Sequence, residues 1–546
     1  MKLKETTTYK ILIAAVIAVS TIALFGGIME PDSSLYASIA KNMVLRNDWG
    51  NLYVRGLNWL DKPHLTFWIA AAFFKLFGIT AFAYKLASFL FGLIGAWYTY
   101  KLAKSIYDEK VGLLGALLFL SGLHVLVSTF DVRAEIYITT FTLASIYHYY
   151  KAQHSTIRHI ILGSVFAACA IMIKGIFVLV TILGGIVLYW LFTKQWKQFL
   201  KPKWWLAFLL IFIFILPELY TLYVQFDLHP ERMVFGKTNV SGIKFFFWDS
   251  QFGRFFNNGP IKGKGDLTFF LHTTLWAFLP WSVLFYAAIG NLFKRSNRAK
   301  HPNESIIIWA SAAITFLMFS LSKFQLPHYI LIILPQFAII TALYLRNLSA
   351  GQIKIFAAIQ NITFLLVVIL LTALAIFFDF DAKYIAIGVI WLTLGTAFYI
   401  FKGKSLEMLI ARSAMISVAL MIFLSGFFYP AALKYESGMQ AGIWLKKNYP
   451  DAKPAVLMHG EAFSFDFYAH GEPSYFWSHE ELEKSVLPKN TIIYSPESEV
   501  EYLKQKYNGT VLKSFEYFHL TKLTSKFLNV KTRSEVLERY YLVKIN

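Results

Sequence analysis

Long apolar runs separated by short polar connections are the main pattern of the 546-residue chain. A helix that crosses the bilayer core needs about 20 mostly apolar residues. Runs of this kind lie near 11–28, 84–106, 111–129, 134–150, 157–173, 176–193, 204–220, 269–292, 304–321, 326–345, 355–376, 383–401 and 407–428. They predict a polytopic α-helical membrane protein with about 13 transmembrane helices. The first run follows Lys2, Lys4 and Lys10. Its apolar core is too long for a cleaved leader and no small-x-small site follows it, so it is read as a retained helix. The run from Pro63 to Phe77 is shorter and framed by Lys62 and Lys75. That suits a re-entrant or surface-lying helix better than a span. Between these two runs lies a loop, residues 29–62, in which Leu35, Ile39 and Met43 recur at helical spacing and predict an amphipathic helix.

The pattern changes near Pro430. Short apolar runs (AVLMHG, TIIYSP, YYLVKI) alternate there with charged helical stretches (EELEKS, ESEVEYLKQKY). This reads as a small soluble α/β domain, residues 430–546, following a membrane domain over 1–429. It contains no Gly-rich phosphate loop.

Composition supports the membrane reading. Charged residues make up only 15% of the chain against roughly 25% in soluble proteins, and 57% of residues are hydrophobic. The aromatic share of 18% suits interfacial rings. The net charge of +20 resides almost wholly before Pro430, since the remainder holds 15 basic and 14 acidic residues. A basic excess within a hydrophobic body indicates cytoplasmic loops, not a nucleic-acid groove. Alternate connections carry it: Lys101, Lys104 and Lys110; Lys151 and Arg158; Lys194, Lys197, Lys201 and Lys203; Lys294, Arg295, Arg298 and Lys300; Arg346 and Lys354; Lys402, Lys404 and Arg412. The connections between them are poor in bases or acidic, as at Asp379 and Asp381. This predicts a multi-pass protein of the inner (plasma) membrane, with a cytoplasmic N-terminus and a periplasmic or otherwise extracytoplasmic C-terminal domain. The single Cys169 excludes a disulfide framework and a thiolate metal cage.

The same topology gathers ionisable residues on the outer side: Glu30, Asp32, Asp61, Lys62, Asp131, Arg133, Glu135, Lys174, Glu218, Arg254, Lys323 and His328. Such residues at a membrane face mark function more often than chance. Carboxylates beside cations suit a substrate that carries a hydroxyl and a phosphate, because one accepts a proton and the other neutralises a leaving group. Asp131 and Arg133 are expected to pair with each other. His124, His148 and His272 show no ligand spacing.

Local sequences extend this reading. EPDSSLYASIAKNM is followed by NDWGNLYVRGLNWLDKPHLTFW, then by ACAIMIKGIFVL, FFFWDSQFGRF, FLPWS and FSLSKFQLPHYILIILP. In this order, over about residues 12–345, they resemble the GT-C glycosyltransferases related to lipid A aminoarabinose transferases and protein O-mannosyltransferases. The matched features are Asp32, Tyr36, Asp48-Trp49 and the Asp61-Lys62-Pro63-x-Leu65-x-x-Trp68 stretch. The resemblance implies an inverting transferase that draws on a polyprenyl-phosphate sugar at the outer membrane face. It implies Asp32 as the catalytic carboxylate, Glu135 as a second acidic residue, and Lys62, Lys174, Arg254 and Lys323 as cations for the donor phosphate. The partners expected are that donor, a lipid, glycan or protein acceptor and membrane lipid, with no nucleic acid.

Two departures stand out. Leu35 occupies the place of an Arg found beside the first-loop Tyr in aminoarabinose transferases, and Gln251 the place of a metal-binding His. No cofactor is therefore expected, and activity is expected not to require zinc. Two other readings use similar features: a transporter or flippase of a lipid-linked saccharide, and a polymerase or ligase of surface polysaccharide. Transporters usually show inverted repeats and charges near the bilayer midplane. Here the acidic residues cluster at one face and no repeat is visible.

Overall fold

The computed structural model describes residues 4–154, 157–292, 302–457 and 463–545. Lys2 and the predicted inner cluster Lys294, Arg295, Arg298 and Lys300 lie outside the described residues. Eight helices among the described residues are long and apolar enough to cross a membrane. The pair Glu109–Leu120 and Leu123–Phe130, bent by 53°, makes a ninth if taken as one span. The expectation of about 13 also counted helices that fall short on their own. Val178–Phe192 has 15 residues and Ser305–Leu321 has 17. The run 269–292 divides into Phe269–Ala277 and Ser282–Leu292. Ala134–Ala152 is buried almost throughout, so its Thr139, Thr140, Thr142 and Ser145 face other helices instead of lipid.

The amphipathic helix of the first loop is Asp32–Arg46, with Leu35, Ile39 and Met43 buried as expected. It packs on the short helix Leu65–Phe77, which turns Phe67, Ala70, Ala71 and Phe74 inward. At about 1.5 Å per residue, 13 residues do not reach across the hydrocarbon core.

The C-terminal region holds a five-stranded mixed sheet. Its order is Ser474–Phe476, Lys453–Leu457, Thr491–Pro496, Glu538–Lys544, Thr510–Tyr517. The first three strands are parallel, and the last two join antiparallel. Three of these strands are the apolar runs seen in the sequence, and the charged stretches form His479–Lys484 and Glu497–Tyr507.

This region is bolted to the first loop by buried polar contacts. The short helix Phe463–Tyr468 packs on Asp32–Arg46. Lys41 Nζ donates to the carbonyls of Asp466 (2.6 Å), Phe467 (3.2 Å) and Ala469 (2.6 Å). Those are the orphan acceptors at a helix C-terminus, where a cation is favoured. Glu30 accepts from the Ser464 backbone N–H at 2.8 Å and its hydroxyl at 2.5 Å. Arg46 grips Glu472 with two hydrogen bonds of 2.6 and 2.8 Å. The loop expected to carry catalytic groups is thereby held between the helical bundle and the sheet.

Candidate active site

Three clusters of charge converge around the first loop. In the first, Asp32 opens the helix Asp32–Arg46 and Arg133 caps the start of Ala134–Ala152. Arg133 donates to Asp32 and, at 2.9 and 3.0 Å, to Asp131. The expected Asp131–Arg133 pair is present, yet Arg133 also reaches the proposed catalytic carboxylate. The Asp32 side chain keeps 36% of its exposure, against 13% for Asp131, so Asp32 is the one with access to a substrate.

The second cluster is Asp61 between two cations. It accepts from Lys62 at 2.9 Å and from Arg254. Burial opposes the Asp61 charge, but the two cations hold its carboxyl down at about 2. The turn carrying Lys62 is braced from below by Glu218, which is fully buried. Glu218 accepts from the His64 backbone N–H at 3.0 Å and its ring Nδ1 at 2.9 Å, while His64 Nε2 faces the Gly50 carbonyl at 3.1 Å. Glu218 thus braces the Lys-Pro-His turn and makes no contact with the cavity.

The third cluster centres on Lys174, the last residue of Ile157–Lys174. Its ammonium lies 2.7 Å from Glu135 and 3.6 Å from the centre of the Tyr329 ring. His328 Nε2 is 3.8 Å from the same Glu135 carboxylate. The chain turns directly after Lys174 at Gly175, with φ +98°. A Cβ there would meet Gln251 Nε2 at 2.1 Å, which explains the Lys-Gly pair. Gln251 uses that nitrogen to bond the Lys174 carbonyl and Ser250 Oγ, each at 2.8 Å.

Asp61, Lys62, Lys174, Gln251, Arg254 and Tyr329 line a cavity of about 920 Å³, open mouth included. Most of its remaining lining is apolar, with Phe177, Val178, Leu222, Phe245, Phe246, Met318, Phe319 and Ile332 beside the hydroxyls of Thr181, Ser250 and Ser322. Of the residues singled out in the sequence, Lys62, Lys174 and Arg254 share this cavity. Lys323 does not: its neighbours Ser322 and Phe324 line the wall, while its own side chain is exposed and forms no ion pair among the described residues. Neither Asp32 nor Glu135 is part of the lining, and Glu135 is nearly fully buried beside Lys174. Tyr36 connects the clusters. It is buried, and after burial the charges of Asp32, Asp61 and Glu135 push its hydroxyl well above the usual range, so it stays a proton donor.

Sequence reasoning passed over two groups: Tyr329, which follows His328 in the matched LPHYI segment, and the His64–Glu218 brace. An aromatic residue beside a matched histidine was the available signal for the first. The brace had none, because its partners are 154 residues apart.

Asp61 bonds Lys62 and Arg254, the Gln251 amide nitrogen bonds the Lys174 carbonyl and Ser250, and among the described residues no group of three His, Cys, Asp or Glu side chains is placed to hold an ion.

Comparison with known proteins bears on the same segments. Residues 61–220 match the Dolichyl-phosphate-mannose-protein mannosyltransferase family. An uncharacterized protein of Aquifex aeolicus is 26% identical over 457 residues, 83% of each chain. The undecaprenyl phosphate-alpha-4-amino-4-deoxy-L-arabinose arabinosyl transferase 2 of Proteus mirabilis is 23% identical over 368 residues, 64% of this chain and 63% of that relative's length. In fold, the chain is similar to ArnT from Cupriavidus metallidurans, solved bound to undecaprenyl phosphate. The TM-score is 0.76 at 17% identity, over 98% of this chain and 97% of that one. Over residues 61–220 the chain is thus similar to the Dolichyl-phosphate-mannose-protein mannosyltransferase family, and across nearly its whole length it shares the fold of ArnT.

Proposed function

We propose that this protein transfers a glycosyl group, with inversion, from a polyprenyl-phosphate sugar to a lipid, glycan or protein acceptor at the outer face of the inner membrane. One observation carries the reading: a single cavity combines a largely apolar lining with Lys62, Arg254 and Lys174. That pairing suits an isoprenoid tail with a phosphate head. Burying such a tail contributes roughly 0.8 kcal/mol per CH₂, and the cations supply the charge that a departing phosphate needs. The curated relatives named for undecaprenyl-phosphate sugar donors support it, as does the structural relative solved with undecaprenyl phosphate.

The chemistry follows from the placement of the clusters. The acceptor's nucleophilic atom attacks the anomeric carbon as the bond from that carbon to the phosphate oxygen breaks. The electron pair of the broken bond leaves with the phosphate, where Lys62 and Arg254 receive the growing charge. The acceptor's proton passes to Asp32, which Arg133 holds in place. Tyr36 lies on the helix that Asp32 opens, within electrostatic reach of Asp32, Asp61 and Glu135. Glu135 acts through Lys174, positioning its ammonium. Lys62 and Arg254 reach the phosphate by leaving Asp61.

The test uses full-length protein purified in detergent with undecaprenyl-phosphate pentoses and hexoses. The expected result is release of undecaprenyl phosphate with the sugar recovered on an acceptor from a cell-envelope extract. Failure to consume any of these donors overturns the assignment. Mass spectrometry of lipid A, glycolipids and glycoproteins from cells with and without the protein then identifies the acceptor.

A further inference from the structure

A second cleft lies away from the charged cavity, at the seam between the first loop and the C-terminal sheet. A two-residue hairpin turn, Arg55 and Gly56 at φ +56° and +71°, joins Tyr53–Val54 to Leu57–Asn58. Both residues need the left-handed region, which glycine adopts freely and arginine does not. The turn lays the Arg55 guanidinium 3.6 Å from the centre of the Phe463 ring and 3.4 Å from Asp466. It faces the edge strand Ser474–Phe476 across an open cleft.

The wall of that cleft is unusual for a soluble surface. Tyr475 and Trp477, two residues apart, stack their rings with centroids 5.8 Å apart and planes 26° from parallel. Trp477 is 41% exposed, and its indole N–H makes no hydrogen bond among the described residues. Two carboxylates border the rings, and each is already fixed. Glu472 is held by Arg46, and Glu481 by the Trp477 backbone N–H at 2.7 Å. Lys484, paired with Glu480 at 2.5 Å, stands at the rim with N–H groups to spare.

An aromatic face bordered by fixed acceptors and a donor matches the two halves of a sugar ring. Its C–H face packs on the aromatic π face, and its hydroxyls bond the polar rim. A lipid tail needs continuous apolar walls, and a nucleic acid is repelled by two carboxylates. We propose that this cleft is a saccharide-binding site that holds the glycan portion of the acceptor. The word "acceptor" rests on the transferase reading; saccharide binding itself does not. The same loop carries Arg55 at this cleft, Asp61 and Lys62 at the charged cavity and Asp32 beside Arg133, so a glycan seated here lies against the loop to which the transfer is assigned.

The experiment uses the full-length protein in lipid nanodiscs and saturation-transfer NMR. The probes are glucose, galactose, mannose, N-acetylglucosamine and their β-linked disaccharides. At least one probe is expected to bind wild type, to lose tenfold or more in affinity with Trp477→Ala, and to recover with Trp477→Phe. Trp477 is exposed, so these variants should keep the fold, which thermal unfolding checks. Repeating the titration with the best sugar carried on a glycolipid in the nanodisc separates a membrane-borne glycan from a free one. In the transfer assay, Trp477→Ala should raise the acceptor KM at least tenfold while kcat and undecaprenyl phosphate affinity stay as in wild type. Absence of binding by every probe overturns the proposal, and so does binding that ignores Trp477→Ala. Sugar binding at Trp477 in a protein that consumes no lipid-linked donor leaves the cleft standing and removes the transferase reading instead.

Discussion

Replacing Asp61 by asparagine tests how the cation pair is kept ready for a phosphate. Asp61 is the only carboxylate bonded to Lys62 and Arg254 among the described residues, and the three side chains are only 17%, 12% and 11% exposed. The group therefore carries one net positive charge, enough to balance a phosphodiester donor. Asp61→Asn raises it to two. The product, a polyprenyl phosphate monoester, carries about −1.5 to −2 at pH 7 and gains most from the change. One added charge about 5 Å from the phosphate is worth about 3 kcal/mol for each unit of phosphate charge at an effective dielectric of about 20. Side-chain rearrangement and water reduce this, so we expect undecaprenyl phosphate to bind about 10–100-fold more tightly. Without ligand, two buried cations lose their counter-charge, which destabilises a protein by roughly 3–5 kcal/mol. The variant should thus melt earlier when empty and regain more than wild type does when undecaprenyl phosphate is added. Turnover should fall because product leaves slowly, while the first turnover stays comparatively fast. Affinity measured in nanodiscs, thermal unfolding with and without ligand, and burst kinetics check each part. Unchanged or weaker undecaprenyl phosphate binding by folded Asp61→Asn refutes the argument and makes Asp61 a positioning group for the cations.

Asp32→Asn should slow single-turnover transfer by about 10²–10⁴-fold, the range for a general base, with donor affinity retained. Lys62→Ala should weaken donor binding and slow phosphate departure together; wild-type rates in either variant remove that residue from the mechanism. Transfer should survive treatment with a chelator, since Gln251 and Asp61 are occupied by protein partners; loss of activity restored by stoichiometric zinc contradicts this. Burial raises the Asp466 carboxyl to about 6 against the pull of Arg55 and Lys41, with Glu472 adding to the rise. The folded state then binds more protons than the unfolded one between about 4 and 6, so the seam loosens as pH rises through that window. Hydrogen exchange in Phe463–Tyr468, corrected for its intrinsic pH dependence, should be slower at pH 5 than at pH 7, and Asp466→Asn should shrink the difference, the remainder belonging to Glu30, whose carboxyl burial raises to about 7 beside Ser464. A reporter fused after Asn546 should be active outside the cytoplasm; activity confined to the cytoplasm reverses the topology and the side on which the site lies.

Much of this protein can be read along the chain. Apolar runs and basic connections show a multi-pass membrane protein because the bilayer fixes the length and the flanking charges of a spanning helix. The periodicity of Leu35, Ile39 and Met43 and the alternating runs after Pro430 foretell the first-loop helix and the sheet, since both signals are local. The span number was less legible. A run such as 269–292 looks continuous until packing breaks it, and the helix Ala134–Ala152 is enclosed by protein where its sequence suggests lipid. Motifs named Asp32, Asp61, Lys62, Glu135, Lys174 and Arg254, but not which of them pair. Arg133 meets Asp32 across 101 residues and Arg254 meets Asp61 across 193. Lys323 shares a matched motif with His328 and Tyr329 yet points away from the cavity, because its neighbours Ser322 and Phe324 take the inward places. The cleft at Trp477 had no signal in the chain, since its two walls come from residues more than 400 positions apart. Residue type and spacing determine what each segment can do chemically and which solvent it faces. Which charges neutralise one another, and which remain for a substrate, is decided only when helix packing brings distant segments within hydrogen-bonding distance.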